Sequence, residues 1–367
     1  MAILCIFAYG SAHPGPEMNM IKRKSNFSLK EMNTFRMDVK CRQYIEYDSV
    51  ADLIDIDFEK LPSPVLNLGQ GSNILFTGDF PGTILRSRID FIHELPAEDG
   101  LYCGMPDGTV LISVGAGTEM DKVCGWAAEK GLWGMENLSH IPGDAGAAAV
   151  QNIGAYGTEF SDATVMIYCY DTEEEEFTHF RAEECGYGYR DSVFKHPGFK
   201  GRYIVTHSVL ALSTDRGPQL GYGHVEEAVM QAAGGKQITP AVVREVITEI
   251  RKAKLPEPSE TGSAGSFFKN PVISEDRFHE VRNGYYMEIP HYPAEGGIKI
   301  PAAWLIEQCG WKGKTVGNAG VHPAQPLVLT NATGKASPGE IIKLKDLIIK
   351  SVQDKFGIML IPEVEII

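Results

Sequence analysis

The sequence reads as strands and capped helices in separate segments, without a dinucleotide-binding βαβ unit, and three observations carry that expectation. Short stretches alternate apolar and polar residues with the period of a half-buried strand. Separate segments, well away from those, repeat apolar residues at helical spacing behind capping residues. The strand-to-glycine turn at Gly69-Gln70-Gly71-Ser72-Asn73 lacks the third glycine and the following helix of a dinucleotide-binding βαβ unit.

Taken in order, residues 33–50 (NTFRMDVKCRQYIEYDSV) alternate as a strand does. In PVLNLGQGSNIL, Pro64 to Leu75, a short apolar strand runs into the glycine turn and a second apolar run begins at Ile74. Successive amides of such a turn can form an anion-binding nest, although a plain turn is the commoner use. TVLISVGAG at 109–117 is a further strand; Thr118 is expected to cap the next helix, with Asp121 in capping-box position and Gly131 closing it. ATVMIYCYD and RYIVTHSVLALS read as strands flanking an acidic tip, Glu173 to Glu176, which reads as a solvated loop. A polar break spans Ser213 to Gly223. Thr239-Pro240 then opens a helix to about Lys252, with Val243, Val246, Ile247 and Ile250 on one face. Lys254 to Pro271 is expected to be a loop, 301–310 a short helix, and 337–357 a capped helix whose stripe is Ile341, Leu344, Ile348 and Val352. A terminal strand is expected from Ile358 to Ile367.

Composition narrows the function. A chain of 367 residues with 43% hydrophobic and 22% charged residues accommodates two or three domains with a buried core. A formal net charge of −14 argues against nucleic acid as a partner, while leaving room for a small anion met by a few local cations. The cysteines at 5, 41, 103, 124, 169, 185 and 309 are scattered without a CxxC pair, as in a reducing compartment, and the histidines show no metal spacing. The opening MAILCIFAYGSAHPG has a short apolar run with no Lys or Arg before it. Export is therefore not expected, and the chain is read as cytoplasmic; translation from Met18 or Met20 would drop the segment. No run is long enough to span a membrane.

The centre of the chain is NLSHIPGDAGAAAVQNIGAYG, Asn137 to Gly157. Its glycines and alanines argue against an ordinary core helix. Ile141, Val150, Ile153 and Tyr156 argue against a polar linker. The remaining reading is a backbone wall laid against a flat, polar ligand.

Four segments then resemble one family in its own order: GQGSNIL at 69–75, IPGDAGAAAVQNIGAYG at 141–157, YGYRDSVFK at 187–195 and GSAGSFFKNP at 262–271. The family is the UDP-N-acetylenolpyruvoylglucosamine reductases of bacterial cell-wall (peptidoglycan) synthesis. NTF at 33–35 and PEV at 362–364 extend the match, and the tyrosine-bearing YG at 222–223 is similar to its longer-loop branch. Asp144-Ala145 and Ala149 depart from the family pattern but leave the glycines intact, so only local packing is expected to change.

The resemblance implies a vanillyl-alcohol-oxidase/PCMH-type FAD-binding fold of two α+β subdomains plus a third α+β substrate-binding domain. The expected boundaries are an extension at 1–20, subdomain 1 at 21–88 rejoined by 358–367, subdomain 2 at 89–213, and a substrate domain at 214–357. It implies tightly bound, non-covalent FAD with NADPH as co-substrate. Gly69, Gln70, Gly71, Ser72 and Asn73 would receive the FAD pyrophosphate. Ile141, Pro142, Gly143, Gly146, Ala147, Gln151, Asn152, Gly154, Ala155, Tyr156 and Gly157 would line the flavin.

Three positions match the family's catalytic residues. Ser266 matches its proton donor: hydride reaches the enolpyruvyl β-carbon from flavin N5, and the α-carbon must then be protonated by a rigidly held hydroxyl. Without the flanking motif, a serine in a Gly-Ser turn is simply a turn residue. Arg190 matches a guanidinium that stabilises the developing enolate, its plain alternative being a salt bridge to Asp191 or another surface acid. Glu363 matches the second acid, its alternative being an outward-facing strand residue beside Val364. Tyr189, Tyr222, Lys254, Asn270 and Gln308 match substrate contacts, Lys254 sitting in a locally basic RKAK.

The resemblance thus implies an NADPH-dependent oxidoreductase that converts UDP-GlcNAc-enolpyruvate to UDP-N-acetylmuramate, its two substrates sharing one site in turn. Its partners would be small molecules, with no nucleic acid or membrane, and the chain is expected to be a monomer without a metal. Two other classes are a related flavin oxidase or dehydrogenase, which would not need Ser266, Arg190 and Glu363 together, and a non-catalytic nucleotide-sugar binding module, which would need neither flavin nor Glu363.

Overall fold

The computed structural model describes residues 21–285 and 288–367. The readings of residues 1–20, with Cys5 and the starts at Met18 and Met20, lie outside the described residues. By internal contacts the chain forms two compact units. The first holds the described residues through Phe27, Cys41–Gln70 and Pro81–Arg251; the second holds Ser28–Lys40, Gly71–Phe80 and Lys252–Ile367.

Strands β1 (Lys22–Ser28), β2 (Lys40–Tyr47) and β3 (Val65–Asn67) are followed by β4 (Ile74–Leu75), which belongs to the second unit, and β5 (Phe80–Ser87). They build a sheet of order β1-β2-β5-β3, with β3 and β5 parallel. Only 40–47 of the expected 33–50 strand is extended in a ladder. The start of that segment is a turn, because the buried Asn33 amide binds three backbone groups around itself: Leu29 O at 2.6 Å, Met37 O at 3.1 Å and Met37 N at 2.9 Å. Short-range satisfaction by asparagine outcompetes a ladder there.

The second sheet is antiparallel. It contains β6 (Ile92–Glu94) and β7 (Thr109–Gly115) and, after the hairpin β8 (Gly154–Ala155) and β9 (Thr158–Glu159), β10 (Thr164–Asp171), β11 (Glu176–Arg181) and β12 (Tyr203–Ser213). Its order is β11-β10-β12-β7-β6. Helices α1 (Val50–Ile54), α2 (Met120–Glu129) and α3 (Ala145–Gln151) belong to the same unit. Thr118 does not cap α2, which starts after Glu119 without a side-chain cap. Its hydroxyl instead bonds the amide and carbonyl of Phe91, both at 3.1 Å. Asp121 is drawn to Arg244, at 2.6 and 2.9 Å, and to the His140 amide. A two-pronged guanidinium bond outweighs a local cap.

Helix α3 corrects the reading of the central stretch. Ala145, Ala148 and Ala149 enter the main core with Ile112, Val114, Leu210 and Leu212. The alanines bring little to bury, but their small size lets the helix lie directly on the sheet. A Cβ on Gly146 would stand 2.8 Å from that of Ala116, and the Gly146 amide donates to Ala116 O at 3.0 Å. Further on, α4 (Val225–Ala233) and α5 (Pro240–Lys254) pack Val225, Val229, Val243, Val246 and Ile247 around Trp133.

The second unit contains β13 (Gly262–Ser266), β14 (Val272–Ile273), α6 (Glu275–Asn283), β15 (Tyr292–Ala294), β16 (Gly297–Lys299) and α7 (Ala302–Gln308). After these come β17 (Thr315–Val316), β18 (Ala319–Val321), β19 (Val328–Asn331), α8 (Pro338–Phe356) and β20 (Glu365–Ile366). One sheet runs β13-β19-β18-β17, another β14-β16-β15, and β20 pairs in parallel with β4. The segment expected as a loop at 254–271 therefore holds a strand, β13, because β19 supplies the partner that its Gly-Ser composition conceals. The terminal strand is shorter than expected. Helix α8 has the expected capping box of Ser337 and Glu340, and its stripe Ile341, Leu344, Ile348 and Val352 is fully buried.

Among the described residues no helix is long and apolar enough to cross a membrane, and no group of His, Cys, Asp and Glu could hold a metal ion. Cys41, Cys103, Cys124, Cys169, Cys185 and Cys309 are free thiols.

Candidate active site

Strand β3 ends in the glycine turn. Gly71 has φ +63°, and a Cβ there would lie 2.2 Å from Met32 O, so only glycine fits. Its carbonyl accepts from the amide and hydroxyl of Thr34, at 3.2 and 3.3 Å. Thr34 O in turn accepts the Ser263 amide at 3.0 Å, and Asn331 Nδ2 donates to Phe35 O at 3.2 Å. NTF thus ties the nest glycine to β13. Asn73 donates from Nδ2 to Glu363 O at 3.3 Å and accepts the Glu365 amide at 3.0 Å.

On the first unit, Gly69 and Gln70 adjoin the start of α3. Gln70 Oε1 accepts the Gly143 amide at 3.2 Å, and a Cβ on Gly69 would touch Ala147 Cβ at 3.3 Å and Asp144 Oδ2 at 3.4 Å. Asp144, expected to change only local packing, is also charged and paired. Its carboxylate forms a buried ion pair with Arg86, whose guanidinium also reaches Leu68 O at 3.3 Å. Burial pushes the Asp144 carboxyl up, and the Arg86 charge opposes that push.

Along the wall, Ile141 and Ile153 pack against the core, while Asn152 sits in the left-handed region at φ +46° and ends α3. Its amide binds Glu159 Oε2 at 2.8 Å, Gly188 O at 3.0 Å and the Ser161 amide at 3.0 Å, so its side chain ties the wall to neighbouring turns. Gln151 differs: its Nε2 is buried and meets no hydrogen-bond partner among the described residues. Tyr156 is also left-handed, at φ +50°, and stacks edge-on with Tyr222, centroids 5.9 Å apart. Ala155 pairs with Thr158 in the hairpin, and Gly157 lies 3.9 Å from Tyr222 by its would-be Cβ. An orphaned buried donor on a stretch of small residues suits a flat ligand rich in acceptors, as FAD is.

Arg190 has φ +58°, an unusual backbone for a residue with a side chain. Its Nη2 donates to Gly154 O at 2.5 Å, where a Gly154 Cβ would come within 2.9 Å of Nη1. Asp191, one of the alternative partners for it, bonds His196 Nε2 at 2.9 Å. The guanidinium also lies over the Tyr189 ring at 5.2 Å. Tyr189 and Tyr222 are exposed, as is Lys254 at the end of α5.

On the second unit, Ser266 ends β13 beyond a register shift from Ser263, next to left-handed Gly265. The following Phe267 and Phe268 are fully buried, and Phe267 meets Phe35 edge-on at 6.2 Å. Phe267 O accepts the Glu363 amide at 2.8 Å, and Lys269 N donates to Ile361 O at 2.9 Å. Main chain therefore brings Ser266 and Glu363 together. Asn270 Oδ1 accepts the Ala302 amide at 2.9 Å at the start of α7, and Gln308 Oε1 accepts the Tyr285 hydroxyl at 3.1 Å at its end. Arg190 belongs to the first unit, and Ser266 and Glu363 to the second.

Two residues escaped the sequence reading. Arg251 donates from Nε to His140 O at 3.0 Å; burial pushes its guanidinium down, while Tyr156 raises it. The basic RKAK pointed to Lys254 three residues on. Lys195, inside YGYRDSVFK, bonds Gln151 and the Arg190 carbonyl.

Comparison with known proteins matches residues 257–367 to the UDP-N-acetylenolpyruvoylglucosamine reductase C-terminal domain and 47–170 to an FAD binding domain. The UDP-N-acetylenolpyruvoylglucosamine reductase of Bacteroides fragilis is 42% identical over 346 residues, covering 94% of this chain and 100% of its own. That of Pasteurella multocida is 38% identical, covering 93% and 96%. The solved UDP-N-acetylenolpyruvylglucosamine reductase of Thermus caldophilus shares the fold at TM-score 0.62 and 23% identity, covering 95% of this chain and 99% of its own. By these matches over nearly its whole length, the chain belongs to the UDP-N-acetylenolpyruvoylglucosamine reductase family.

Proposed function

We propose that this FAD oxidoreductase uses NADPH to reduce UDP-GlcNAc-enolpyruvate to UDP-N-acetylmuramate, with Ser266, Arg190 and Glu363 as its working side chains. FAD, when bound, would supply hydride-transfer chemistry between NADPH and the enolpyruvyl β-carbon. Ser266 Oγ gives its proton to the α-carbon. A serine is a weak acid, so its contribution depends on being held against that carbon. Arg190 offers a permanently charged, planar donor to the carboxylate as negative charge develops there. Glu363 polarises the same centre.

The pyrophosphate is read at Gly69 to Asn73, and the flavin along 141–157, with Gln151 as a side-chain donor. Tyr189, Tyr222, Lys254, Asn270 and Gln308 are read as the grip on the nucleotide-sugar. The three-part division at 21–88 with 358–367, 89–213 and 214–357 belongs to the same reading, as does action as a cytoplasmic monomer.

The observation that supports the catalytic reading best is the backbone bond from Glu363 to Phe267, which holds the second acid one residue from the proton donor. Anaerobic titration of the purified protein tests it. NADPH should bleach the yellow protein, and UDP-GlcNAc-enolpyruvate should restore the colour. Bleaching without recovery would point to another acceptor, and a colourless protein that cannot be loaded with FAD would end the reading.

A further inference from the structure

Lys195 has no part in the proposed chemistry, yet its ammonium joins two residues that do. It donates to Gln151 Oε1 at 2.7 Å and to the Arg190 carbonyl at 2.9 Å. An ammonium can only donate, so it decides which way the Gln151 amide faces: oxygen towards Lys195, nitrogen away. The nitrogen is the buried donor without a partner among the described residues. Buried amide donors are rarely left unpaired, so an acceptor is expected from a ligand.

The other end of the bridge concerns backbone. Arg190 occupies the left-handed region, and Lys195 holds the carbonyl that leaves it. A second clamp lies beside it, where Ser192 Oγ donates to Val150 O at 2.6 Å. Together they fasten residues 190–195 to the end of α3. From that backbone the guanidinium turns back to Gly154 O.

We propose that Lys195 is a positioning residue for the reductase reaction, aiming the Gln151 amide at an acceptor on the polar edge of bound flavin while holding the Arg190 backbone in place. The proposal rests on the reading that Gln151 lines the flavin. An ammonium behind the amide polarises it, making Nε2–H a stronger donor. That donor favours the electron density which reduction brings to the flavin's polar edge, and so raises the potential of the bound cofactor.

The test uses Lys195→Met, Gln151→Glu and the double variant, each loaded with FAD. Gln151→Glu keeps an acceptor for Lys195 and removes the donor. Both single variants should shift the flavin absorption band and lower its midpoint potential, and the double variant should go no further than the larger single one. Lys195→Met should also slow turnover of the enolpyruvyl substrate, by up to about a hundredfold for a misplaced group, with the KM for NADPH little changed. If Gln151→Glu shifts spectrum and potential while Lys195→Met shifts neither, the role of Lys195 is overturned, even if the variant is less stable. If Gln151→Glu leaves both untouched, Gln151 does not face the flavin and the underlying reading falls with the proposal. Should Lys195→Met not load FAD, the neutral Lys195→Gln replaces it, and an unchanged spectrum and potential there overturn the proposal equally.

Discussion

The Glu363 amide donates to the Phe267 carbonyl at 2.8 Å, joining the last segment of the chain to the turn that carries Ser266. The rings of Phe267 and Phe268 are buried with centroids 5.2 Å apart, so the turn after Ser266 is held by packing as well as hydrogen bonding. Ser266→Ala removes one hydroxyl and should leave this frame intact. Reduction of the flavin by NADPH should proceed nearly as before, and reoxidation by the enolpyruvyl substrate should slow by about 10²–10⁴-fold, the usual worth of a positioned acid. Stopped-flow measurement of each half-reaction separates the two. Equal loss in both would remove Ser266 from the proton-donor role.

Arg86 and Asp144 form a buried pair beside Gly69. Removing the cation alone leaves a carboxylate in the interior, next to the place read for an anionic diphosphate. Arg86→Leu should destabilise the fold by about 3–5 kcal/mol and loosen FAD. Asp144→Asn in the Arg86→Leu background should recover most of both losses, because it removes the stranded charge. Thermal melts of the apoprotein and FAD titration by fluorescence quenching give the two readouts. A double variant no better than Arg86→Leu would mean that the arginine acts through something other than this pair.

His207 lies in β12, stacked on Tyr168 with centroids 4.3 Å apart and its Nδ1 3.1 Å from Thr206 Oγ1. Burial pushes its pKa down to about 4, against about 6.5 when unfolded. The unfolded chain therefore binds the extra proton first, and stability present above pH ~6.5 should fall as pH drops towards ~4. A shift of this size corresponds to at most about 3 kcal/mol, reduced by the solvent that still reaches the ring. His207→Phe should flatten that part of the profile in urea melts between the two pH values. An unchanged slope would assign the acid sensitivity to other groups.

What could be read from the sequence followed the range of the forces involved. The capping box of Ser337 and Glu340 and the stripe through Val352 depend on neighbours within a few turns, and both are present as expected. Thr118 was misread because its partner, Phe91, lies 27 residues away. Helix α3 was hidden by its own composition: glycine and alanine disfavour an isolated helix, and only contact with Ala116 reveals why small residues are needed. The Gly-Ser text of β13 gave no strand signal, since β19 supplies the ladder. The family motifs marked Ser266, Arg190 and Glu363, but neither the Arg86–Asp144 pair nor the Lys195 bridge follows from any local pattern.

Gly71 offers the sharpest check on the nest. Its φ of +63° is costly for any other residue, and a Cβ would come 2.2 Å from Met32 O and 2.8 Å from Asn33 Cα, both main-chain atoms with no freedom to swing aside. Gly71→Ala must therefore displace either the nest or the turn that Asn33 organises. Because Thr34 links that turn to β13, the disturbance should reach Ser263 as well. The expected result is a fall in stability of more than the roughly 1–2 kcal/mol of backbone strain alone, with FAD lost on gel filtration. Gly78→Ala is the matched control, since a Cβ there meets nothing within 4 Å, and it should keep both its melting temperature and its FAD. Retention of FAD by Gly71→Ala at the level of the control would show that the pyrophosphate does not depend on this turn.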